Sequence, residues 1–456
     1  MKKTAFNPYL PTWEYVPDAE PHVFNGRVYI YGSHDIPGGT KYCLGDYVSW
    51  SAPVDDLSDW RYEGVSYRKG QDPITQGGKY EMAAPDTAQG PDGRYYMYYC
   101  VHFLGEISVA VADQPQGPYS FLGYVRNKDG SKLDGSLKFD PAVLVEEGGN
   151  YLYYGFCPSM HFDDMPAVNT GASMVRLADD MITAVSEPVY VARGWEGRQG
   201  TSFEEHPFYE ASSIRHIGRW YYFVYSSIQG NELCYAMSDR PEGPFEYKGV
   251  IVSNCDLGYE GNTVEKHTNA NNHGGILSIN GQHYIFYHRH THDTHFSRQA
   301  CAEKIEIDEN GLIRQAECTS CGLNDGWIIP EGTFNACIAC NLIGDPHPYQ
   351  MEEEDKDGEQ RRNQYIRRLM NGSLAVVKYF DFDQYQPETL SAELRYGKGT
   401  LKILLDEKEV LAETAYEKTQ FWKEWSVRLP KITGVHSIAF CFESEEETEF
   451  NTFRFE

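Results

Sequence analysis

Apolar and polar positions recur in one motif through most of the chain. A short polar or acidic segment leads into an apolar run, a Gly-containing turn follows, and a Tyr-rich run comes next. Five copies are visible: Asp18–Ser33, Ala84–Val101, Phe139–Phe156, Tyr209–Ser227 and Asn272–His290. Their turns read NG, PDG, GG, IG and NG. Each turn separates two β-prone runs, which predicts a hairpin. Between the copies lie further strand-like runs, such as ISVAVAD, ASMVRLADD, LCYAMSDRPEGPF and ACAEKIEIDENG. Each repeat therefore predicts about four strands over roughly 50–70 residues, the content of one propeller blade. Strong helical periodicity is missing. The expectation is an all-β chain with a five-bladed β-propeller over residues 1–325.

The pattern changes beyond that point. Met351–Gln364, MEEEDKDGEQRRNQ, is charged and poor in apolar residues, and it predicts an exposed loop. Alternating runs follow it: SLAVVKYFDF, TLSAELRYG, GTLKILLD, FWKEWSVRL, VHSIAFCFE and EFNTFRFE. Short strands with turns between them predict a β-sandwich over residues 326–456. Trp422 and Trp425 read either as exposed platforms for a sugar or as core residues.

Radial placement of the blades brings the starts of the innermost strands to one mouth of a central channel. The residues there are Asp18, Asp86, Asp140, Glu210 and His273. Acidic residues are common in turns before strands. Turn chemistry alone gives no reason for them to repeat in register. Glycosidic bond hydrolysis needs such a set, with one carboxyl to protonate the leaving oxygen and another to activate water or attack directly. A further negative charge close by keeps the acid protonated near neutral pH.

With these motifs in place, the propeller half resembles glycoside hydrolase family 43, the inverting arabinofuranosidases, xylosidases and arabinanases. Asp18 in PDAEPHVFNG, Asp140 in FDPAVLV and Glu210 in FYEASSIR match the family pattern in order. The resemblance implies that Asp18 is the general base, Glu210 the general acid, and Asp140 the group that raises the acid's pKa. It further implies substrate contacts from Arg289, Phe139, Asp86 and His273, with His273 close to a hydrated calcium ion on the axis. Glu20, two residues past Asp18, rivals it for the base role. The C-terminal part resembles the jelly roll of carbohydrate-binding module family 6. The implied reading is an inverting exo-glycosidase acting on terminal α-L-arabinofuranosyl or β-D-xylosyl residues of short oligosaccharides. A β-galactosidase or galactanase on the same scaffold, and a non-catalytic sugar-binding propeller, remain open alternatives. Retaining fructosidases usually carry Arg-Asp-Pro and Glu-Cys where this chain has Phe-Asp-Pro and Glu-Ala.

Charge narrows the partners. With 40 Lys and Arg against 67 Asp and Glu, the formal net charge is −27, which disfavours nucleic acid and anionic membranes. Oligomeric state is not legible. The start, MKKTAFNPYL, has no apolar core of a secretion signal, and the 11 cysteines are an odd, scattered set. Both features lead to the expectation of a cytoplasmic protein with free thiols. Against this, Cys318, Cys321, Cys337 and Cys340 have the spacing of a zinc ribbon, C-x2-C-x15-C-x2-C. Strand alternation in FNACIACNLI would split the second pair between two faces. The run His288–His295, HRHTHDTH, reads as a loop at the pocket rim in preference to a metal cluster.

Overall fold

The structure is a computed structural model that describes residues 5–133, 136–159, 170–353 and 363–456. The charged stretch Met351–Gln364 falls mostly on residues 354–362, outside this set. Five sheets surround a common axis, antiparallel except where Thr183–Ala184 of the third pairs in parallel with Arg126–Asn127. The first blade pairs Glu20–Phe24, Arg27–Tyr31, Tyr47–Pro53 and Arg61–Tyr67 in order. The second pairs Met82–Gln89, Tyr95–Val101, Ile107–Ala112 and Ser120–Tyr124. In the third, Ala142–Glu146, Gly149–Tyr154 and Gly171–Leu177 carry the short additions Thr183–Ala184 and Val189–Arg193. The fourth is Phe208–Ile217, Trp220–Ser227, Glu232–Ser238 and Glu246–Ser253.

The fifth blade has three strands, Ile276–Ile279, Gln282–His290 and Arg298–Ile305, where the repeat predicted four. The beginning of the chain supplies its missing edge. Tyr9 donates its N–H to the Ala300 carbonyl (3.1 Å), and the Asn7 amide pairs with Ala302 in both directions, each at 2.9 Å. The ring is thus closed by residues far apart in sequence, and the edge of the last blade is covered.

The Tyr-rich runs are the second strands of their blades, buried on both faces; every residue of Tyr95–Val101 is buried. A buried tyrosine still needs a partner for its hydroxyl. Tyr31 donates to the Pro115 carbonyl (2.7 Å), Tyr98 to Met181 (2.6 Å), Tyr153 to Pro241 (2.8 Å) and Tyr222 to Gly311 (2.9 Å). Each acceptor lies on an outer turn of the next blade. One residue type therefore fills the core between blades and latches them, at about 1 kcal/mol net per bond.

The C-terminal part is a β-sandwich. One sheet runs in the order Tyr349–Glu353, Asn363–Leu369, Thr448–Phe455, Thr389–Arg395 and Lys423–Arg428, with Gly332–Asn335 on the edge of Thr448–Phe455. The other runs Asn341–Ile343, Ser373–Asp381, Val435–Ser444, Gly399–Leu405 and Glu409–Tyr416. Phe334, Phe380, Phe440, Phe450, Phe453 and Phe455 fill the space between them. The sandwich packs against the fifth blade, where Arg289 donates to the Cys340 carbonyl (2.9 Å) and Ser320 to that of Lys378 (2.8 Å).

Candidate active site

A cavity of about 460 Å³ opens at one mouth of the propeller, and Asp18, Asp140, Glu210 and His273 line it. The backbone at the strand starts is unusual. Asp18, Ala84, Asp140 and Ala211 have φ of 60°, 44°, 45° and 67°. Non-glycine residues in this left-handed region are strained, and a repeated strain at equivalent places marks a functional rim. It also fixes the true register of the repeat. Asp18, Ala84 and Asp140 are equivalent, and the parallel bridge of Ala19 to Gly274 sets His273 level with Asp18.

Asp86 is therefore misplaced by the sequence reading. It lies two residues beyond the rim position, in register with Glu20. It is fully buried beneath the cavity, where it pairs with His22 (2.6 Å) and accepts from the Val143 N–H (2.7 Å). Burial pushes its pKa up, but His22 outweighs this and holds it below the usual range.

Arg289 is a second correction. Successive residues of a strand face opposite sides. His288 faces Asp18, with Nδ1 accepting the Asp18 N–H at 3.2 Å, so Arg289 turns away. Its guanidinium is buried against Cys301 Sγ and the Cys340 carbonyl, outside the cavity. The cavity arginine is Arg298, which the sequence reading missed. The signal was available in the hairpin register: Arg298 pairs with His290, on the His288 face. Arg298 reaches Asp18 Oδ1 at 2.9 Å and is gripped by Asp35 through Nε (2.8 Å) and Nη2 (3.1 Å).

The three carboxylates sit in different surroundings. Asp18 is held by Arg298, with His288 Nδ1 at 3.3 Å from its Oδ1. Asp140 accepts the Ala211 N–H (2.9 Å); burial, then the charges of Glu210 and Asp18, push it well above the ordinary carboxylate range. Glu210 makes no hydrogen bond or ion pair among the described residues. Burial and the charge of Asp18 push it up to about 7, against the pull of Arg298. Buried acids this closely coupled titrate as a set. The opposite wall is aromatic. Phe139 stacks on Phe103 at 5.3 Å, Phe156 touches both, and Tyr209 continues the wall at 5.2 Å from Phe156. Tyr42 and Phe296 complete the rim at 4.8 Å from each other.

Below His273 lies a buried polar cluster. Glu20 accepts from Arg215 (2.6 Å) and Ser213 (3.0 Å) through Oε2. Its other oxygen, Oε1, lies 3.8 Å from His273 Nε2, and both atoms are buried without a hydrogen-bond partner. Two unpaired donor atoms at that separation suit one cation between them, an oxygen and an imidazole nitrogen. Glu20 thus belongs with His273 in this cluster and not with the base position.

The four cysteines of the zinc-ribbon spacing do not converge. Cys318 donates to the Ser253 carbonyl (3.0 Å), Cys321 to Lys378 (3.5 Å) and Cys340 to Val376 (3.5 Å). Burial pushes Cys321 up to about 12 and raises the others, which favours thiols over the thiolates zinc requires. Trp422 stacks on Arg395 at 4.0 Å, and Trp425 is partly buried against the sandwich core.

Three comparisons place this geometry among known proteins. Residues 18–313 match the model of glycosyl hydrolases family 43. The chain is 45% identical over 475 residues to a xylosidase/arabinosidase of Thermoclostridium stercorarium, covering 99% of both chains. Among solved structures it resembles an arabinoxylan arabinofuranohydrolase from Bacillus subtilis in complex with cellotetraose, at 21% identity and a TM-score of 0.54 over 99% of each chain. It also resembles a β-xylosidase/α-arabinofuranosidase from a compost metagenome, solved with xylotriose in a calcium-free form, at 24% identity and a TM-score of 0.54, covering 69% of this chain and 98% of that one. At these identities the two structures speak for the fold.

Proposed function

The chain belongs to glycosyl hydrolases family 43 and is a glycoside hydrolase; from that premise we propose that it releases terminal β-D-xylosyl or α-L-arabinofuranosyl residues from short oligosaccharides, with inversion. The observation that carries the reading is the unequal pair of carboxyls at the cavity floor. Asp18 is held in an arginine contact, while Glu210 has no partner and a pKa raised to about 7. Two such groups suit the base and acid of a single displacement.

In this mechanism Asp18 takes a proton from the attacking water. Arg298, gripped by Asp35, holds Asp18 Oδ1 at 2.9 Å and fixes its direction. Glu210 gives its proton to the glycosidic oxygen as the bond breaks. Asp140 stands beside the acid, and repulsion between the two carboxyls favours the protonated form of the pair. The aromatic wall, Phe139 foremost, packs against the sugar face, and the buried, unpartnered Oδ1 of Asn271 at the cavity accepts a sugar hydroxyl. Calcium in the buried cluster would be held by Glu20 and His273. It would supply a fixed positive charge beneath the sugar. A cavity of about 460 Å³ has room for a terminal sugar, and the name of the Thermoclostridium stercorarium relative supports a pentose.

A panel of nitrophenyl glycosides tests the reading: α-L-arabinofuranoside, β-D-xyloside, β-D-galactoside and β-D-fucoside. The expected result is cleavage of a pentoside by the wild type and none by Asp18→Asn. Proton NMR of the first-formed anomer reads the stereochemistry. Preference for the galactoside, or a retained anomer, overturns the assignment.

A further inference from the structure

The loop between strands Gln282–His290 and Arg298–Ile305 carries Phe296 of the cavity rim and leads directly into Arg298, which contacts Asp18. Its inner side is held by the propeller: Gly38 donates to Ser297 Oγ (3.0 Å), and Tyr42 packs on Phe296. Its outer side is held by the sandwich. Gln350 donates its N–H to the Thr291 carbonyl at 2.7 Å. Glu352 Oε2 meets His292 Nε2 at 3.1 Å, and its other oxygen accepts from the Tyr15 hydroxyl. The His292 and Glu352 side chains are only 6% and 7% exposed. Gln364 extends the network to Tyr15 and to Gln299, each at 3.1 Å; the same Gln299 oxygen accepts from Thr291 Oγ1 (2.8 Å).

This network is polar, buried and directional. An apolar seam would join two domains as firmly, because burying a carboxylate is costly unless its partners are well placed. What hydrogen bonds add is a fixed geometry, and the element fixed here is the loop behind the cavity. We propose that Glu352 is a positioning residue of the active site: through His292 it sets the loop that presents Phe296 and Arg298, so that the sandwich shapes the cavity without touching the sugar. The inference rests on the sugar pocket proposed above and names a role for the second domain in it.

The test is steady-state kinetics of Glu352→Ala, Glu352→Gln, Phe296→Ala and the double variant Glu352→Ala/Phe296→Ala, on whichever glycoside the wild type cleaves. Melting temperatures are followed in parallel. A small misplacement of a sugar-contacting group raises KM for Glu352→Ala by about tenfold, with a smaller fall in kcat. Glu352→Gln, which keeps an acceptor, recovers most of the loss. The double variant loses clearly less than the product of the two single losses, because residues acting as a unit are not additive. Lys402→Ala, on the sandwich strand Gly399–Leu405 where its partner is Glu443, leaves KM unchanged. A folded Glu352→Ala with wild-type KM overturns the proposal, as do losses that multiply in the double variant. If Glu352→Ala does not fold, His292→Ala carries the same expectation and the same overturning result. A wild type that prefers another sugar corrects the substrate reading and leaves this comparison intact.

Discussion

Two tiers of carboxylates lie at the strand starts, two residues apart in depth, Glu20 following Asp18 and Asp86 following the rim residue Ala84. The upper tier is Asp18, Asp140 and Glu210, around the cavity. The lower tier is Glu20 and Asp86, beneath it. Residue types and strand positions are almost the same in both. What differs is access and counter-charge. The lower carboxylates are matched by Arg215 and His22. The upper three share one arginine, Arg298, which touches only Asp18 of the set. At the cavity, burial and then the neighbouring carboxylates raise Asp140 and Glu210. Only the upper acids face the cavity and can pass protons to a substrate; below it, burial pushes Glu20 up to about 8 against the pull of Arg215, while His22 holds Asp86 low.

Substitutions separate the tiers. Asp18→Asn lowers kcat/KM on a natural disaccharide by about a thousandfold or more, whereas Asp86→Asn changes it by less than tenfold; comparable losses would erase the distinction. The next largest effect is on pH dependence. Glu210 must carry its proton, so kcat/KM falls about tenfold per pH unit above roughly pH 7, and a profile flat to pH 9 contradicts the acid assignment. The same group acts on stability. Its folded pKa lies above the ordinary value, so its contribution is complete below about pH 4.5 and is lost as pH rises through about 7. Glu210→Gln therefore melts higher than wild type at pH 8, with no gain at pH 4. In the lower tier, Asp86→Asn weakens the contacts to His22 and the Val143 N–H and lowers unfolding free energy in urea by about 1–3 kcal/mol. The smallest expected effect is from a chelator, a several-fold loss of activity that calcium restores and that Glu20→Gln abolishes. Indifference to both treatments argues against a cation at Glu20 and His273.

Much of this was legible in the sequence. Turn chemistry and Tyr-rich runs gave the blades, and the acidic strand starts gave Asp18, Asp140 and Glu210. The misreadings have one source. Reading Asp86 as the start of the second blade, where the rim residue is Ala84, displaced it by two residues, which preserves the strand face and changes the depth. Arg289 was adjacent to the right histidine, and one residue in a strand is the opposite side. Asp35 and Glu352 could not be found by motif. Their roles come from contacts between segments remote in the chain, and no local pattern encodes such a contact.

Ring closure bears on how the chain reaches this state. The edge of the fifth blade is covered by Asn7 and Tyr9, whose partners, Ala302 and Ala300, lie nearly 300 residues later, the Asn7–Ala302 separation being 295. During synthesis the first residues must wait, unpaired, until the last blade has been made. Contacts of such long range slow folding, and unpaired strand edges are sticky in the interval. Production of the protein should therefore be sensitive to chaperone supply and to additions near Asn7, even where the finished fold is unaffected.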